Sequence, residues 1–170
     1  HLLQREVKSR PPEPIDAVCF DFKGILADSG DSGLYPEMID LVKELRNRGV
    51  MLAVVSSADP YAVREQLGSF QKAFDGIYHG HGGQKHHAIE EFVLASRLTD
   101  LSRVVFVDDV LENLVPAMEQ EPIYGVAFQR GIDDPRSREF CGKKGIPFAV
   151  TSEELRRFLC SLPAPESPTA

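Results

Sequence analysis

Five residues of this chain carry side chains that could act together: Asp21, Ser56, Lys85, Asp108 and Asp109. Each lies where an apolar run stops or a helical stretch begins. Ala17–Phe20 runs into Asp21, Val50–Val55 into Ser56-Ser57, and Arg103–Val107 into Asp108-Asp109, while Lys85 opens the helical stretch before that third run. A short apolar run bounded by polar residues and glycine reads as a strand buried on both faces. A buried, unpaired carboxylate costs on the order of several kcal/mol, so it belongs where a cation, backbone N–H groups or substrate meet it. In open α/β sheets that place is the crevice beyond the carboxyl ends of the strands. Two carboxylates on neighbouring strands repel unless a cation lies between them. Mg2+ suits, since it takes oxygen ligands and keeps several waters. A hydroxyl and an ammonium in the same crevice suit an anion such as a phosphoryl group. Each residue also has a plainer reading: Asp21 or Ser56 caps a turn, Lys85 is solvated, and Asp109 is the N-cap of the next helix. Their joint placement at successive strand ends favours the shared site.

The elements that must carry these residues alternate along the chain. Pro36 to Arg48 has Met38, Ile39, Leu41, Val42 and Leu45 on one helical face, with Gly49 as C-cap. Asp59-Pro60 opens a second helix to about Leu67, Phe70 to Phe74 reads as a loose turn, and Gly76 to His79 as a short strand. Gln84 to Leu98 reads as a helix, Leu111 to Glu119 as another bent at Pro116, and Ile123 to Phe128 as a strand. Asp134-Pro135 begins a helix that Gly145 ends, Pro147 to Val150 is a last strand, and Thr151-Ser152-Glu153-Glu154 is a capping box for a helix to about Leu162. The class is therefore α/β with a mostly parallel sheet and right-handed crossovers, a Rossmann-like three-layer sandwich. Residues 1–14, with Pro11, Pro12 and Pro14, are expected to be an extended arm, residues 15–162 the α/β domain, and residues 163–170 a disordered tail.

Composition bounds the function. A chain of 170 residues holds one domain with a real core. A formal net charge of −7 argues against broad binding to nucleic acid or anionic membranes by charge. No apolar run reaches the roughly 18 residues of a membrane span, and no secretory signal is visible. Cys19, Cys141 and Cys160 are odd in number and widely spaced, which suits a reducing compartment, so an intracellular, cytoplasmic location is expected. The chain opens with His1 in place of Met, as a processed or partial product would.

The strand-end set resembles the haloacid dehalogenase superfamily of aspartyl-phosphate-forming hydrolases. Asp21-Phe22-Lys23-Gly24-Ile25-Leu26 is similar to its first motif, Ser56-Ser57 to the second, Lys85 to the third, and Val107-Asp108-Asp109 through Asn113 to the fourth, over roughly residues 15–128. The resemblance implies that Asp21 attacks phosphorus and becomes an aspartyl phosphate that water then hydrolyses. It implies Mg2+ held by Asp21, the Lys23 backbone carbonyl, Asp109 and, directly or through water, Asp108. It also implies phosphoryl binding by Ser56 and the Ser57 N–H, with Lys85 neutralising charge.

One departure matters. Phosphatases of the superfamily carry a second Asp two residues after the nucleophile as general acid; this chain has Lys23. An ammonium with a reference pKa of about 10.4 is a poor proton donor at neutral pH. Lys23 is thus expected either to make the activity weak or specialised, or to mark a fold-retaining subunit that binds or assembles without turnover. Dehalogenases, phosphonate hydrolases and transport ATPases also lack that Asp, which gives carbon–halogen or phosphonate hydrolysis as a third reading. The gaps where the superfamily inserts caps, about ten residues after Leu26 and 27 between Ser57 and Lys85, hold no sizeable cap. An open crevice suits a phosphorylated macromolecular substrate, a homo-oligomer or a larger assembly. His79, His81, His86 and His87 flank Gly82-Gly83; their spacing fits no established zinc pattern, and a solvated loop, a transition-metal site and substrate contact are all compatible with it.

Overall fold

The computed structural model describes residues 10–30 and 33–165, so most of the expected arm and the end of the expected tail lie outside the described residues. The elements run β1 (Ala17–Phe20), α1 (Pro36–Asn47), β2 (Met51–Ser56), α2 (Pro60–Leu67), β3 (Gly76–His79), α3 (Lys85–Ala95), β4 (Val104–Asp108), α4 (Leu111–Gln120), β5 (Tyr124–Phe128), α5 (Pro135–Lys144), β6 (Phe148–Ala149) and α6 (Ser152–Ser161). They form a three-layer α/β/α sandwich.

The sheet has six strands in the order β3-β2-β1-β4-β5-β6, every neighbouring pair parallel. From β1 the chain winds outward to β2 and β3, then returns to the other side of β1 and winds outward again. The reversal between β1 and β4 is the topological switch point at which such sheets open a crevice. Register decides what emerges there. Phe20 is level with Val54 on one side and Val107 on the other, so Asp21 and Asp108 leave the sheet at the same height.

Each central strand is apolar along its length because both faces are covered. Val18, Phe20, Leu52, Val54, Val105 and Val107 pack against α1, α2 and α6. Their alternate neighbours Ala17, Cys19, Ala53, Val55, Val104 and Phe106 pack against α3, α4 and α5. Burying a side chain such as Val or Phe contributes about 1.5–3 kcal/mol, so this alternation fixes the register on which the rim depends. Helix starts follow the sequence signals: Asp59 and Asp134 cap α2 and α5 ahead of Pro60 and Pro135, and the Thr151 hydroxyl accepts the Glu154 N–H at 3.1 Å.

Three elements depart from the sequence expectations. Gly68–Ala73 winds into a 3-10 helix where a loose turn was expected over Phe70–Phe74. The helix expected to reach Leu98 ends at Ala95, because Arg97 turns left-handed (φ 57) and the Leu98 N–H reaches back to the Val93 carbonyl at 3.0 Å. That is a Schellman stop built without glycine. Pro163, placed in the tail, is tied to the domain, its carbonyl accepting the Ile15 N–H at 3.0 Å.

Candidate active site

β1 ends by delivering Asp21 into a tight loop. The Asp21 N–H continues the sheet to the Val107 carbonyl at 3.0 Å, and the N–H groups of Ile25, Leu26 and Ala27 then converge on the Phe22 carbonyl at 3.2, 2.9 and 3.1 Å. The loop turns through Gly24 at φ +86, a conformation that L side chains rarely adopt. A Cβ at Gly24 would stand 2.6 Å from Asp109 Oδ2. Glycine is required here twice over, by the backbone and by the close approach of a carboxylate from the end of β4.

At the switch point Lys85 bridges the two strands. Its Nζ donates to Asp21 Oδ1 at 2.8 Å and to Asp108 Oδ2 at 2.9 Å, and Lys85 and Asp108 are 1% and 0% exposed. The plainer reading of Lys85 as a solvated first-turn residue is therefore overturned. Burial pulls the Lys85 pKa down, but the charges of Asp108 and Asp21 outweigh it, and the ammonium is held above its ordinary value. Asp108 accepts the Val110 N–H through its other oxygen at 2.9 Å. The residue before α4 is Val110, so Asp109 is not its N-cap.

Asp109 is the group left over. Its Oδ1 is buried and has no hydrogen-bond partner among the described residues. Burial, contact with Asp21 and the charges of Asp21 and Asp108 push its pKa up to about 7. Oxygens of Asp21, Asp108 and Asp109 lie within 4.8 Å of one another. Three carboxylates against one ammonium leave two negative charges, which a divalent cation would balance. An all-oxygen donor set with one orphaned buried oxygen fits a hard cation such as Mg2+.

The other expected site residues stand nearby on separate elements. Ser56, buried at the end of β2, accepts the Ala58 N–H at 3.1 Å, so its oxygen does cap the turn while its hydroxyl proton donates to no acceptor among the described residues. Ser57 is exposed one residue further. The Lys23 Nζ donates to the Gly30 carbonyl at 3.1 Å. Two residues escaped the sequence reading although they follow an apolar run in the same way, Gln129 and Arg130 after β5. Gln129 donates to the Asp109 carbonyl at 3.2 Å. Arg130 lies 3.6 Å over the Tyr35 ring and donates to Glu37 at 2.6 Å and to the Ile25 carbonyl at 2.8 Å. It thereby pins the loop after β1 to the loop after β5, and a cavity of about 570 Å3 opens between them, bordered by Asp28, Asp109 and Arg130.

Residues 5–120 match the family of haloacid dehalogenase-like hydrolases. The chain belongs to that family. No curated protein matches it. Among solved structures, this member is similar to the cobalt-bound deoxy-D-mannose-octulosonate 8-phosphate phosphatase of Haemophilus influenzae, with TM-score 0.66 and 16% identity over 88% of this chain and 89% of that one. A putative phosphatase from Clostridium difficile gives TM-score 0.70 and 15% identity over 86% of this chain and 99% of that one. A haloacid dehalogenase family hydrolase from Deinococcus radiodurans, with bound phosphate and sodium, gives TM-score 0.67 and 14% identity over 88% and 96%. At these identities the likeness establishes the fold, which agrees with the three-layer architecture described above. No helix among the described residues of this haloacid dehalogenase-like chain is long and apolar enough to cross a membrane.

Proposed function

We propose that the chain is a phosphohydrolase that needs a divalent cation, Mg2+ in the first place, and acts through an aspartyl phosphate on Asp21. The observation that carries the reading is the buried Asp21–Lys85–Asp108 bridge with the unpartnered Asp109 oxygen beside it. The cobalt and the phosphate that accompany two of the similar structures are consistent with it.

Asp21, the Lys23 carbonyl and Asp109 would hold the cation, with Asp108 beside them. When bound, it shields the nucleophile from the phosphoryl charge and offsets the charge that develops in transfer. Lys85 orients Asp21 through its hydrogen bond and adds a positive charge toward the phosphoryl oxygens. The Ser56 hydroxyl proton and the Ser57 N–H are the donors for those oxygens. Asp21 then attacks phosphorus, the ester oxygen departs, and water cleaves the acyl phosphate to regenerate the carboxylate.

Lys23 sets the substrate class. With no carboxylic acid to protonate the departing oxygen, a loss that typically removes about 10²–10⁴ in rate, the favoured substrates are those whose leaving group departs as a stable anion: aryl phosphates, acyl phosphates and anhydrides. The test is a phosphatase panel with Mg2+ on wild type, Asp21→Asn and Lys23→Asp. Wild type is expected to turn over aryl but hardly alkyl phosphates, Lys23→Asp to gain on alkyl esters, and Asp21→Asn to do neither. Full wild-type activity in Asp21→Asn would refute the mechanism.

A further inference from the structure

The histidines at the end of β3 are unused by the proposed phosphoryl chemistry, and their geometry is specific. His79 Nδ1 stands 3.1 Å from the Ala58 carbonyl, which can only accept, so a neutral His79 carries its proton on Nδ1 and presents a bare lone pair at Nε2. That lone pair faces His81 Nε2 at 3.2 Å, with the two rings nearly perpendicular at 87°. Two imidazole nitrogens sharing a tetrahedral Zn2+, each about 2.0–2.1 Å from it, lie about 3.3–3.4 Å apart. The pair is within a few tenths of an ångström of that spacing. A histidine whose other ring nitrogen donates to a backbone carbonyl has the arrangement that fixes tautomer and ring orientation in metal-bound imidazoles. Both rings are exposed, so a cation reaches them from solvent and water fills its remaining positions.

We propose that His79 and His81 form a second cation site, nitrogen-based and selective for a borderline divalent ion such as Zn2+, separate from the carboxylate centre. Donor chemistry separates the two: imidazole nitrogens suit Zn2+ and its neighbours, whereas Mg2+ seeks carboxylate and carbonyl oxygen. The backbone ties the pair to the turn after β2, since the Gly80 N–H donates to the Ser56 carbonyl at 2.9 Å. A cation there adds positive charge beside the turn that carries Ser56 and Ser57. The His86–His87 pair on α3 is not equivalent, because His87 is engaged with Glu90 at 3.6 Å.

The test is calorimetric titration of the full chain with Zn2+ in excess Mg2+, for wild type, His79→Ala, His81→Ala, His87→Ala and Asp109→Asn. Co2+ serves in parallel as a spectroscopic probe, and circular dichroism verifies that each variant is folded. One Zn2+ per wild-type chain is expected, weakened about tenfold or more by either His79→Ala or His81→Ala, with loss of the visible Co2+ bands of nitrogen ligation. His87→Ala and Asp109→Asn should retain it. Absence of binding in wild type, binding indifferent to both His79→Ala and His81→Ala, or an equal loss in His87→Ala or Asp109→Asn overturns the proposal.

Discussion

The rim of the sheet has two sides that handle charge in opposite ways. On the β1–β4 side, Asp21, Lys85 and Asp108 are buried, with Lys85 donating to the two carboxylates at 2.8 and 2.9 Å. On the β2–β3 side, Ser57, His79 and His81 are exposed. The first arrangement is expensive to form and cannot relax, so it holds its groups in place before substrate arrives, which is what electrostatic catalysis requires. The second costs the fold little and can rearrange around whatever binds. Substitutions should therefore damage the fold on one side and only binding on the other.

The largest effect belongs to Lys85. Lys85→Met leaves two buried carboxylates without their cation and should cost about 3–5 kcal/mol in urea unfolding; a loss below 1 kcal/mol would mean that water enters the site and that the contrast with the open side is false. Cation binding comes next. Mg2+ at a hundred times its dissociation constant should stabilise wild type by about 2.7 kcal/mol, and Asp109→Asn should forfeit most of that shift in a thermal melt. Gly24→Ala should lose about 1–3 kcal/mol through its left-handed backbone and weaken Mg2+ binding as well, since the new methyl presses on Asp109.

A pH profile sharpens the same comparison. In EDTA, Asp109 has its pKa raised to about 7, against about 3.9 in an unfolded chain. A group raised on folding stabilises the fold when protonated, so that contribution is complete below about pH 3.9 and disappears as pH rises through about 7. Metal-free Asp109→Asn should lack this decline across the window, and an identical profile in both proteins would show that Asp109 is solvated. The smallest effect lies on the open side, where His81→Ala should leave unfolding stability within about 0.5 kcal/mol of wild type.

Much of this architecture can be read directly from the chain because parallel strands covered on both faces appear as uninterrupted apolar runs. β1, β2 and β4 announce themselves as the runs Ala17–Phe20, Val50–Val55 and Arg103–Val107, and the polar residues after them mark the rim. The same rule applied to Tyr124–Phe128 points to Gln129 and Arg130, which follow that run as Asp21 follows the first. The end of α3 gave no such signal, because a Schellman stop through Arg97 uses none of the residues that usually advertise one. The demands on Gly24 were hidden for a different reason: they come from Asp109 arriving through space from another strand. The pairing of His79 with His81 likewise depends on a carbonyl, that of Ala58, contributed by the neighbouring turn.

The most direct test of the central claim is to trap the covalent intermediate. Wild type turning over a radiolabelled aryl phosphate with Mg2+ is quenched in acid, reduced with borohydride and mapped by peptide mass spectrometry. Label bound to the protein before reduction, and reduction of the residue 21 carboxyl alone to the corresponding alcohol, is the expected result. Turnover with no label on the protein and an unreduced Asp21 would mean that water attacks phosphorus directly, and that Asp21 is not the nucleophile.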